Sequence, residues 1–336
     1  MTKPVARLTS PAQLVASLPE QLGYIPTESV VALCLHEPRG RIGLIMRFDL
    51  PAEQHEQSLA KEVVARARHA GATRMALAVY TDEPGDLARR RLVELITDLL
   101  EDLPVTEAVL IRQGRFWSYS RCDKQSCCPV EGTSVDLADA SSSIQLLRAE
   151  RVLEGRTILP SRAAIEALVA PPVFLAADAA AQRWLAADQA LAEAIAERGL
   201  EATRARSLQT WRAVLSRWGR PPASTTDEEA ATLSASLDDV IIRDEVAGMS
   251  GRSGSPLLGL LEDLCRRTPP PYDAPVCTLF AWVSYLQGGG ALTTIALERA
   301  LATDPAYRLA LLLDDALRGQ VPPAALRRAM RPGRAA

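Results

Sequence analysis

An α/β N-terminal domain with a mixed β-sheet, followed by an all-α helical domain, is the fold class the sequence predicts. Dense β-forming runs alternate with helical periodicities as far as Tyr119, strand signals stop beyond about Thr157, and apolar residues thereafter recur at spacings of three and four between prolines and glycines. A chain of 336 residues suits about two domains at roughly 150 residues each. The boundaries read as 1–160 and 161–336.

The first element, Pro11 to Leu22, carries Leu14, Val15, Leu18 and Leu22 at helical spacing behind Ser10, a good N-cap, and Gly23 ends it. Ser29 to Leu35 and Ile42 to Phe48 are β-forming runs separated by the turn-like His36-Glu37-Pro38-Arg39-Gly40, which predicts a hairpin. Glu53 to Ala70 reads as a helix, Met75 to Tyr80 as a buried strand, Gly85 to Leu103 as a long amphipathic helix, and Glu107 to Ile111 as a strand. Arg112-Gln113-Gly114-Arg115 then turns the chain into Phe116-Trp117-Ser118-Tyr119, a second hairpin. The order β-β-α-β-α-β-β demands a mixed sheet with helices packed on it.

In the second half, Phe174 to Arg198 is an alanine-rich helix and Ala202 to Trp218 another. The loop from Pro221 ends in a helix cap near Asp227, and Ser250 to Pro256 is the best internal linker. Helices follow at Leu257 to Arg267 and Cys277 to Leu286. An αα-hairpin at 291–318 closes the domain: a helix from Ala291 to Leu301, Asp304 as cap with Pro305 at the first helical position, then a helix to Leu317 stopped by Gly319. This pair resembles half of a tetratricopeptide repeat, with no second copy at the period of about 34 residues.

Composition narrows the function classes. With 48% hydrophobic and 24% charged residues, the chain has enough apolar surface to fold. The formal net charge of -3 provides no general attraction to nucleic acid or anionic membrane. Lys3, Lys61 and Lys124 are the only lysines and asparagine is absent, a pattern of GC-rich coding rather than an arginine code for phosphate. Residues 1–22 have no continuous apolar core of the secretory kind, and the longest apolar run, Val276 to Leu286, is about half of the ~20 residues that cross a bilayer. A cytoplasmic location is the expectation. The one basic patch, the C-terminal tail of Arg318, Arg327, Arg328, Arg331 and Arg334, lacks interleaved aromatics, so nucleic acid is not the expected partner.

The sharpest local feature is the cysteine-rich loop at 117–132, where Cys122, Cys127 and Cys128 fall within seven residues. Three readings stand side by side: a zinc site completed from afar by Cys34, His36, His55, His69 or a carboxylate; a redox disulfide from Cys122 to Cys127 or Cys128; and thiols that pack a tight loop. Trp117 and Tyr119 alternate with Phe116 and Ser118 and so share one strand face, where with Arg121 and Glu131 they form a candidate pocket or simply cover the sheet. No nucleophile elbow, Walker loop or zinc-protease helix motif is present.

Several segments together resemble a known family. They are Leu8, Ser10-Pro11, Leu14, Pro19, Leu22-Gly23, Pro26 and Ser29-Val30; Asp49-Leu50-Pro51; Trp117-Ser118-Tyr119, Cys122 and Cys127-Cys128-Pro129-Val130-Glu131-Gly132; and Arg243-Asp244, Gly290-Ala291-Leu292, Ala296 to Leu301, Asp304-Pro305 and Tyr307. On these the chain resembles the actinobacterial domain-of-unknown-function family 4192, over nearly its whole length. The resemblance implies an actinobacterial, cytoplasmic protein and assigns no activity. Thr293-Thr294 departs from the Ala-Asn of similar proteins, so no amide side chain stands at position 294. The leading expectation is a non-enzymatic binding or regulatory protein whose helical domain meets a protein partner. The competing one is a metal- or thiol-dependent enzyme or redox sensor centred on Cys122, Cys127 and Cys128.

Overall fold

The computed structural model describes residues 6–120, 128–136, 141–153, 157–218, 224–250 and 256–329. The chain divides into two compact units, Met1–Ser161 and Arg162–Ala336.

The first unit is built on a six-stranded mixed sheet of order β2-β1-β3-β4-β5-β6. Its strands are β1 (Ser29–His36), β2 (Arg41–Asp49), β3 (Arg74–Tyr80), β4 (Val105–Arg112), β5 (Arg115–Ser118) and β6 (Thr133–Ser134). β3 and β4 are parallel, and the other neighbours are antiparallel. The parallel pair needs a crossover, and α3 (Arg90–Leu99) supplies it. Helices cover both faces, so the apolar run in β1 is unbroken rather than alternating. Val31, Leu33, Ala76, Ala78 and Val109 pack on one side against Val15 and Leu18 of α1 (Pro11–Leu22). On the other, Val30, Ala32, Leu77, Val79 and Leu110 meet Val63 and Ala67 of α2 (Glu56–His69) and Leu92 and Ile96 of α3.

Local chemistry sets the element ends. Ser10 accepts the amide of Gln13 at 3.3 Å, and Gly23, at φ +90, ends α1 by donating to Pro19 at 2.8 Å. Helix α4 (Ser142–Leu153), which sequence periodicity did not mark, is tied to α1 because Arg148 and Arg151 both reach the buried Glu20. The long helix expected from Gly85 to Leu103 is instead the ten residues of α3. Left-handed backbone at Leu87 (φ 52) and Arg89 (φ 62) interrupts the helix before Arg90, although the side chains keep an amphipathic pattern.

The second unit is helical in the described residues: α5 (Arg162–Leu168), α6 (Phe174–Arg198), α7 (Leu200–Trp218), α8 (Asp227–Ser236), α9 (Val240–Gly248), α10 (Pro256–Arg267), α11 (Ala274–Leu286), α12 (Gly290–Thr303), α13 (Arg308–Arg318) and α14 (Pro323–Ala329). Helix α11 is buried nearly all round, which accounts for its apolar text, and no helix of the described residues is long and apolar enough to cross a membrane. The expected hairpin at 291–318 is modified. α12 lies chiefly against α11, and Asp304 does not cap α13 but accepts the amide of Ala306 at 2.9 Å, so that the helix begins only at Arg308. Ala310 and Leu313 form its buried face, leaving Leu311 and Leu312 in solvent. The expected linker at 250–256 falls largely outside the described residues.

Candidate functional site

The aromatic segment singled out in the sequence lies on β5 and just beyond it. Trp117 and Tyr119 do share a face, the one covered by α2 and α3. The Trp117 indole donates to the Val130 carbonyl at 2.9 Å, and the Arg112 guanidinium stands 5.2 Å from its ring centre. Gly132, at φ +75, lies flat against that ring, where a Cβ would come within 2.4 Å. Tyr119 continues the pairing with β4 through its amide and donates its hydroxyl to the Ala88 carbonyl at 2.6 Å. Burial raises its phenol above the ordinary range, so it remains a donor that pins the β3–α3 turn. Glu131 offers its backbone carbonyl to Arg115 at 2.7 Å while its side chain points to solvent.

Of the cysteine loop, Arg121, Cys122 and Cys127 lie outside the described residues, and Cys128 is a half-buried free thiol. Among the described residues no three of His, Cys, Asp or Glu stand together as metal ligands. Cys34 is buried in β1 and burial pushes its thiol up to about 11, against the thiolate that metal binding requires. Next to Tyr119, Arg89 donates to both oxygens of Glu83, to the Pro51 carbonyl at 2.8 Å and to the buried Glu56 at 3.2 Å. That guanidinium is spent on holding the turn.

A different place has the properties of a ligand site. In the helical unit a cavity of about 340 Å3 opens between the first half of α6, the start of α8 and the end of α10. Small-molecule sites run from about 300 to 1,000 Å3, so its size is sufficient. Ala176, Ala179 and Ala180 of α6 line it together with Ala231 of α8. Because residues three and four apart share a helix face, these small side chains and Trp184 form one stripe, and their small size is what leaves the space.

Trp184 is 6% exposed and its ring stacks on Tyr272, with centres 4.1 Å apart and planes 13° from parallel. Its buried Nε1–H has no acceptor among the described residues. Indole is a donor only, and a buried donor left unpaired is uncommon enough to require a reason. Three guanidinium groups, Arg183, Arg266 and Arg267, face the same cavity with a single lining carboxylate, Asp227. Arg267 is held by Asp227 at 2.6 Å and by the buried Asp263 at 3.0 Å, whereas Arg266 has one long contact with Asp263 at 3.4 Å and Arg183 one with Asp227 at 3.3 Å. Most donors of Arg183 and Arg266 therefore remain for a guest. Asp263 also accepts the Thr225 hydroxyl at 2.7 Å, which fixes the floor beneath them.

Sequence reasoning missed this site. The alanine stripe ending in Arg183-Trp184 was visible as a periodicity and Arg266-Arg267-Thr268-Pro269 as a helix end, but nothing in the text says that they meet. The model of a family described as a domain of unknown function, DUF4192, matches residues 11–324, nearly the whole chain. None of the curated proteins and none of the solved structures matches it.

Proposed function

We propose that this chain, which belongs to the DUF4192 family, is a non-enzymatic binding or regulatory protein whose helical unit holds a small ligand in the cavity beside Trp184. The observation that carries this reading is the unpaired, buried indole N–H facing a cavity of about 340 Å3. A donor in that position is satisfied by a bound guest, and the stack on Tyr272 holds its direction before the guest arrives. The α/β unit serves as a scaffold in this reading, since Arg89, Trp117 and Tyr119 are engaged in structural hydrogen bonds. The excess of arginine over lysine, three lysines in 38 basic residues, and the absence of asparagine support a GC-rich, actinobacterial source, and the reading places the protein in the cytoplasm.

The test is retention. The protein is incubated with the small-molecule fraction of its source cells, washed, denatured, and the released compounds identified by mass spectrometry, in parallel with Ala180→Leu, which fills the cavity. The expected result is a compound retained by the wild type, recovered chemically unchanged, and lost from a variant that melts at the same temperature. Equal retention by both proteins, or conversion of the compound during incubation, overturns the proposal.

A further inference from the structure

We infer that the guest of the Trp184 cavity is a small organic anion, with a carboxylate or phosphate held by Arg183, Arg266 and the Trp184 N–H and a flat apolar body lying against the alanine face of α6; this rests on the reading of the cavity as the binding site. Three features of the wall define the class. The Trp184 nitrogen can only donate, so the guest must present an acceptor. The lining cations outnumber the lining carboxylates by three to one, so the acceptor that fits carries negative charge. Arg266 and Arg183 are incompletely paired, and the planar guanidinium matches the two-oxygen edge of a carboxylate or phosphate.

The rest of the wall limits the body of the guest. Alanines and the prolines at 172 and 269 offer neither donors nor acceptors from their side chains, so the part of the ligand beyond its anionic end is apolar. A space of about 340 Å3 takes a single ring or short chain with its charged group and excludes a nucleotide-sized molecule lying wholly inside. Arg267 plays another part. Its two short ion pairs hold the α8 and α10 ends together, so it positions the cation pair rather than binding the guest itself.

The experiment measures binding of benzoate, phenyl phosphate, inorganic phosphate and neutral benzamide to the full chain by calorimetry, for wild type and for Arg183→Gln, Arg266→Gln and Trp184→Phe. The Arg variants remove partly exposed side chains whose ion pairs are long, and Phe retains a ring to stack on Tyr272. Benzoate or phenyl phosphate should bind at least about tenfold more tightly than benzamide, weaken about tenfold or more in each Arg variant, and lose affinity in Trp184→Phe at unchanged melting temperature. Preference for benzoate over phenyl phosphate assigns a carboxylate, and the reverse a phosphate ester. Benzamide binding as well as benzoate, or anion binding indifferent to Arg183 and Arg266, overturns the class. Retention of a cellular compound that is lost in Ala180→Leu yet unaffected by both Arg→Gln changes overturns the anion while leaving the cavity as the binding site. If Ala180→Leu retains what the wild type retains, the cavity reading fails as well.

Discussion

Arg299 shows how much one residue can hold in this fold. Its guanidinium donates to Asp273 at 2.7 Å, to the carbonyls of Cys265 at 2.9 Å and Thr268 at 2.8 Å, and to that of Val169, while Asp273 is fully buried. Removing one partner of such a pair leaves a desolvated charge. Arg299→Ala should destabilise the protein by about 3–5 kcal/mol in chemical denaturation, and a loss under 1 kcal/mol would show that water replaces the guanidinium. Glu107 predicts a pH effect of defined sign. Burial raises its carboxyl above the usual range against the opposing hydrogen bond from Ser118. A raised folded value means that its contribution to stability is present below about pH 4, where the unfolded carboxyl is protonated too, and is lost as pH rises through the higher folded value. Glu107→Gln, which retains an acceptor for Ser118, should melt with the wild type near pH 4 and above it at pH 7; equal melting at both pH values refutes the assignment.

Among elements, α8 connects stability to the cavity. Thr226 and Glu229 form a reciprocal capping box, with the Glu229 amide donating to the threonine hydroxyl at 3.1 Å and the Thr226 amide to the glutamate at 3.0 Å. The box holds the first turn, and with it Asp227 at the rim of the cavity. Thr226→Ala should cost about 1 kcal/mol and loosen the Asp227–Arg267 contact. Paired denaturation curves of the two proteins measure it, and no change in midpoint would mean that the Arg217–Glu229 pair alone secures the turn. Helix α3 gives the complementary lesson. Its periodicity extends past its ends because amphipathic spacing records which side chains face the sheet, while the backbone at Leu87 and Arg89 is set by where Glu83, Glu56 and Pro51 stand to receive Arg89.

For the molecule as a whole, each unit owns its core. The sheet faces of residues 1–161 are covered by their own helices, and in 162–336 the buried α11 is enclosed by α10, α12 and their neighbours. A fragment of residues 1–161 should therefore unfold in a single cooperative transition; a non-cooperative, expanded fragment would show that it lacks an independent core.

What the sequence determined by itself was everything written in local period and punctuation. The β1–β2 and β4–β5 hairpins, the Ser10-to-Gly23 limits of α1, the extent of α6 at Phe174–Arg198 and the change from mixed sheet to helices are all legible, because caps, turns and alternation act between residues a few positions apart. Trp117 and Tyr119 could be placed on one face for the same reason. Whether that face holds a guest or a helix could not be read, and the structure puts helices there. Only tertiary structure decided the candidate site. Trp184, Asp227 and Arg266 belong to three helices far apart in the chain, and their meeting depends on packing contacts that leave no period in the text. Local rules set the direction of a side chain within its element, and the rest of the fold decides what it faces.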